Sequence, residues 1–134
     1  MRKRKLAAIA VMIILVSVML GGCSEYSSHF KAIGMVHSNT PSHAFMSFYQ
    51  FSGTIVFKLK CRDSSGGTLS YAAKIEEGSI RVYVDSGGSR DLVVSLEPQS
   101  STIEGRVNVP HGRIYVIVES NDVSSNGELE FNIE

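Results

Sequence analysis

The amino-acid sequence predicts an all-β protein, an antiparallel β-sandwich of about eight short strands. Three observations predict it. Beyond residue 44, apolar residues alternate with polar ones at a period of two, the pattern of strands with one buried face. Runs rich in Gly, Ser, Asp and Pro interrupt that alternation every ~8 to 13 residues. No later stretch carries the apolar spacing of an amphipathic helix. Strands that are apolar on one face need a second layer to cover it, and a sandwich is the stable solution at this length. A small closed β-barrel is the alternative.

The elements follow in order. Residues 44–51 place Phe45, Tyr49 and Phe51 on one face. Residues 54–62 turn Ile55, Phe57, Leu59 and Cys61 inward and Lys58, Lys60 and Arg62 outward, the charge pattern of an edge strand that resists foreign pairing. Asp63 to Gly67 is a turn, and residues 68–75 direct Leu69, Tyr71, Ala73 and Ile75 inward. Residues 79–85 bury Ile80, Val82 and Val84, and residues 91–97 bury Leu92, Val94 and Leu96. Residues 102–109 carry Ile103, Val107 and Val109, with Gly105 as a bulge position. Residues 113–119 bury Ile114, Val116 and Val118. A loop from Ser120 to Gly127 then leads to a last strand with Leu129, Phe131 and Ile133.

The first 43 residues read differently. Arg2 to Lys5 are four consecutive cations, followed by an apolar run from Leu6 to Leu20. A basic start and an apolar segment of this length form the layout of a secretory signal. As a helix the run spans roughly 22 Å at ~1.5 Å per residue, short of the ~30 Å hydrocarbon core. It ends in Leu20-Gly21-Gly22-Cys23, which resembles the lipobox of bacterial lipoproteins. The resemblance implies that Cys23 receives a diacylglycerol thioether and that cleavage before it makes Cys23 the mature N-terminus, with palmitate-type acyl chains as the anchor. A thiolate is a strong nucleophile and suits that role. Two acyl chains give stable membrane attachment. The expected organisation is therefore a signal peptide over 1–22, the lipid-bearing Cys23 with a flexible polar tether over 23–43, and the sandwich over 44–134.

Without residues 1–22 the chain has nine Lys and Arg against 13 Asp and Glu, a net charge near −4. That excludes a nucleic-acid partner, which requires a basic surface. It also leaves the lipid as the expected source of membrane attachment. With Cys23 acylated, Cys61 is the only other thiol, on the inward face of its strand and read as a small buried hydrophobe.

The segments at Glu77–Asp85, Gly112–Val118 and Gly127–Phe131 are similar to those of small bacterial lipoproteins built on one sandwich. More distantly they are similar to pre-peptidase C-terminal domains. The resemblance implies a sandwich and brings no functional residue with it.

Candidate chemistry is sparse. His29, His37 and His43 are spaced too widely for a zinc site and read as solvated tether residues, and His111 reads as part of a turn. No catalytic motif, cofactor site or metal site is predicted. The loops Asp85–Asp91 and Asn121–Asn126 hold oxygen donors, but those residues are also what turns require. Tyr83 and Tyr115 lie out of phase with the core and form the candidate ligand face. The expected function is a non-catalytic lipoprotein on the extracytoplasmic side of a bacterial cell membrane, presenting a sandwich to an envelope protein or glycan. A small-ligand or carbohydrate-binding lipoprotein is the alternative.

Overall fold

The computed structural model describes residues 26–134. Eight strands follow one another: β1 (His29–Ile33), β2 (Val36–Asn39), β3 (His43–Cys61), β4 (Gly67–Lys74), β5 (Ile80–Asp85), β6 (Arg90–Leu96), β7 (Ile103–Val109) and β8 (Gly112–Ile133). All pairings are antiparallel.

Two long strands organise the fold. β3 and β8, of 19 and 22 residues, pair from His43 opposite Asn132 to Cys61 opposite Gly112. Their register breaks once. Phe51 faces Ser124, whereas Gly53 faces Ser120, so β8 carries extra residues at the break. The buried side of β3 changes parity just before the break, between Phe48 and Phe51. Ala44, Met46 and Phe48 point inward on one side of that change, and Phe51, Ile55, Phe57, Leu59 and Cys61 on the other. Gly53 sits at the register break itself. Its φ of +105° disfavours an L side chain, and a Cβ would collide with the His29 carbonyl oxygen of β1. Bulged strands of this kind pass from one layer of a sandwich into the other.

The first half of β3 and the second half of β8 form one layer with β2, β4 and β7, in the order β2-β3-β8-β4-β7. The remaining halves form the other with β5 and β6, in the order β3-β8-β5-β6. β1 lies across the bend, with His29 to Ile33 opposite Thr54 to Gln50. The core fills the space between the layers, and Phe57 of one meets Phe131 of the other with ring centroids 6.3 Å apart. Among the described residues the layers do not close into a barrel, since β7 pairs only with β4 and β6 only with β5.

The architecture is the expected sandwich, with several local corrections. The stretch read as a tether holds β1 and β2, because the alternation there pairs with β3 despite its polar composition. Residues 44–51 and 54–62 are one bent strand, and residues 120–127 belong to β8 where a loop was expected. Phe45 is half-buried and Tyr49 lies 57 % exposed, on the face opposite to the buried Ala44 and Met46. Leu92 is exposed because the β5–β6 register slips between Val82 and Tyr83. Gly105 makes no bulge. It pairs in register with Tyr71, whose ring occupies the space a Cβ would need. Cys61 is buried and free. The signal segment and Cys23 lie outside the described residues.

The outward lysines do mark an edge. From Ile55 to Cys61, β3 has β8 on one side, while amides on its other side meet acceptors outside any strand ladder. Val56 donates to Ser28 Oγ at 2.9 Å, Lys58 to Asn39 Oδ1 at 2.8 Å and Lys60 to the Pro41 carbonyl at 2.7 Å. These contacts satisfy the edge without another strand.

Candidate functional site

The outer face of the β2-β3-β8-β4-β7 layer carries a polar groove of about 470 Å³. Strand alternation builds it: inward Leu69, Leu129 and Phe131 leave Ser70, Ala72, Glu130 and Asn132 outward on β4 and β8. β7 adds Glu104 and Arg106 on the same side, opposite Ala72 and Ser70, and Glu134 closes one end. Tyr71 also lines the groove. On the neighbouring strand, half-buried Phe45 stands opposite Glu130 and His43 opposite Asn132.

Polar contacts tie these groups together. The Glu130 carboxylate accepts from Asn132 Nδ2 and from His43 Nε2, each at 3.2 Å. The Asn132 amide, then His43, hold the Glu130 carboxyl below the usual glutamate range. Ser70 Oγ donates to Glu134 at 3.3 Å, and Arg106 approaches the same carboxylate at 4.0 Å. The groove thus presents carboxylates, a guanidinium, an amide and a hydroxyl, held at strand spacing on a rigid floor.

The two tyrosines singled out by the sequence share the outer face of the other layer. Tyr83 stands opposite Ile117 and Tyr115 opposite Asp85, so they are diagonal neighbours on β5 and β8. Both are half-buried, and both rings are engaged. The Arg90 guanidinium lies 4.0 Å from the centre of the Tyr83 ring and also contacts Glu119 at 3.2 Å. Tyr26 packs edge-on against Tyr115 with centroids 5.4 Å apart.

The Tyr26 hydroxyl donates to Asp85, whose other carboxylate oxygen accepts from the amides of Gly87 and Gly88 at 3.2 and 2.8 Å. The Tyr26 hydroxyl, then the two amides, keep the buried Asp85 carboxyl below its usual range. The same contact raises the Tyr26 phenol above its usual range. This face docks the chain's own N-terminal segment.

The remaining candidates have structural places. Asp85 folds its own turn, and Asn121 to Asn126 lie in β8. His29 contacts Ser27, His37 packs edge-on against Phe30, and His111 contacts the Asp63 carbonyl at 3.1 Å. Among the described residues no three His, Cys, Asp or Glu side chains are grouped to hold a metal ion. The groove residues went unmarked in the sequence. Their signal is the alternation Glu128-Leu129-Glu130-Phe131-Asn132, whose outward members become a site only beside β4 and β7.

No family model matches the chain, and no curated protein does. Solved structures similar to it include a carbohydrate-binding module of family 29, at 14 % identity and a TM-score of 0.44, covering 81 % of this chain and 75 % of that one. The pre-peptidase C-terminal domain of a collagenase from Bacillus anthracis is 14 % identical with a TM-score of 0.49, over 83 % of this chain and all of that one. TmCBM61, solved with β-1,4-galactotriose, is 18 % identical with a TM-score of 0.44, over 80 % of this chain and 83 % of that one. At these identities no residue role carries over.

Proposed function

We propose that this chain is a non-catalytic cell-envelope lipoprotein, anchored through Cys23, whose sandwich binds a glycan in the groove between β7, β4 and β8. The groove carries the reading. Sugar hydroxyls both donate and accept, and a receptor needs fixed acceptors and donors in one plane. Glu104, Glu130 and Glu134 accept, Arg106 donates in a planar fork, and Ser70 and Asn132 do both. Phe45, on the same face opposite Glu130, supplies apolar surface beside them for the carbon face of a sugar ring.

The test is affinity electrophoresis against a panel of neutral polysaccharides and peptidoglycan fragments, with Arg106→Ala and Glu130→Ala as variants. Retardation by at least one polymer is expected. Each variant loses about tenfold or more in affinity, the size of one charged hydrogen bond. No retardation by any polymer, or full affinity in both variants, overturns the glycan reading. Intact mass of protein from native membranes tests the anchor separately: a chain beginning at Cys23 and carrying a diacylglycerol supports it, and an unmodified full-length chain refutes it.

A protein partner is the second reading. It is favoured by a strip of exposed apolar residues at the β1–β2 turn, where Ile33 is 58 % and Val36 63 % exposed.

A further inference from the structure

The charges that sum to about −4 are not spread evenly. Setting aside Arg2–Lys5, the chain has nine Lys and Arg, and four of them, Lys58, Lys60, Arg62 and Arg113, line one groove of about 720 Å³. Asn39, Thr40 and Pro41 form its other wall, and all four cations are exposed. The β3–β8 register sets Lys60 directly opposite Arg113, a like-charge pairing that is unfavourable within a sheet.

The groove adjoins the place where the N-terminal segment docks. Lys58 stands opposite Tyr115, Arg113 donates to the Tyr115 hydroxyl at 3.3 Å, and Tyr26 packs on that ring. Cys23 is three residues before Tyr26, so the chain between them reaches at most about 11 Å. That is close to the ~8 Å Debye length at physiological salt, the range over which an anionic surface is felt.

We propose that this cationic groove is the membrane-facing surface of the domain and seats against anionic lipid headgroups. The proposal rests on the anchored reading for its geometry. The lipid on Cys23 brings the groove to headgroup level, and the cations fix which side faces down. The acidic glycan groove lies on the other layer.

The test uses the mature protein from native membranes, with its mass recorded first, in vesicles of phosphatidylcholine alone or with phosphatidylglycerol added. A membrane-impermeant acetylating reagent then reads each lysine by mass spectrometry. Acetylation of Lys58 and Lys60 is expected to fall about fivefold or more with the anionic lipid, the scale of one basic residue at such a surface. Lys74, on the opposite layer, serves as the control and stays constant. High salt abolishes the protection, and a Lys60→Glu/Arg62→Glu variant loses it at Lys58.

Equal acetylation of Lys58 and Lys60 in both vesicles overturns the proposal, as does equal protection of Lys74. If the mass carries no lipid, the anchor reading fails by itself. The same footprint on protein added to vesicles from solution then decides the groove: selective protection by phosphatidylglycerol sustains it, and none refutes it.

Discussion

Asp85 and Tyr26 form the contact at residue scale that ties the N-terminal segment to the sandwich. The Asp85 carboxyl titrates below its ordinary range when folded, so the unfolded chain binds the proton more readily. Its contribution is therefore complete above the ordinary carboxylate pKa and is lost as pH falls through the lowered folded value. The Tyr26 phenol is raised, so its contribution holds below the ordinary tyrosine pKa and is lost as pH rises through the raised one. Asp85→Asn is expected to cost about 1–2 kcal/mol at neutral pH and to flatten the acid limb of stability, read from urea midpoints between neutral and acidic pH. An unchanged acid limb means that Asp85 is not the group responsible.

Gly105 is a second position where one atom decides. A Cβ there meets the Tyr71 ring, so Gly105→Ala is expected to destabilise by about 1–3 kcal/mol. Paired with Tyr71→Ala it should be far less costly than the sum of the two changes, a coupling that a double-mutant cycle measures. Additive costs would place the Tyr71 ring elsewhere.

At the scale of the element, the bend in β3 is where the sequence became hard to read. Between Ala44 and Phe51 both faces carry apolar residues, so alternation by itself does not choose between Phe45-Tyr49 and Met46-Phe48. The choice is made by β8, whose partners for these residues are 73 residues or more away in the chain, and a period-two pattern has no access to it. Straight strands lacked this problem. Ile55, Phe57, Leu59, Ile80, Val82, Ile114, Val116 and Val118 are all buried where the alternation puts them. β1 and β2 were missed for a related reason: they are short and polar, and they become strands by pairing with β3. Gly53→Ala tests the register break that follows the bend. Its positive φ and the closeness of the His29 carbonyl predict a cost of about 1–3 kcal/mol. Faster hydrogen exchange in β1, with β4 and β7 unchanged, is the expected signature. Uniform loosening would instead mean that β1 is not separately seated.

For the whole molecule, the question is whether two grooves on two layers act independently. The polar groove draws on β4, β7 and β8 near its C-terminal end, and the cationic groove on β3 and the N-terminal end of β8. They share the long β3–β8 ribbon but no residue. Most of the fold was legible because it follows from alternation within single strands. The grooves were not, since each is made by outward residues from strands distant in sequence, and outward residues are what a core-seeking pattern discards.

Independence makes a double prediction. Glu130→Gln should weaken polysaccharide binding about tenfold, the scale of one charged hydrogen bond, and leave the lysine footprint on anionic vesicles unchanged. Lys60→Glu should do the reverse, because charges screened over ~8 Å do not reach across the sandwich. Both variants sit at solvent-facing positions, so both should fold. If either change alters both readouts, the grooves are coupled through β3 and β8, and the domain responds as one piece to the membrane and to the glycan. If each alters only its own, the sandwich is a rigid spacer that holds one face to the lipid and turns the other toward the ligand.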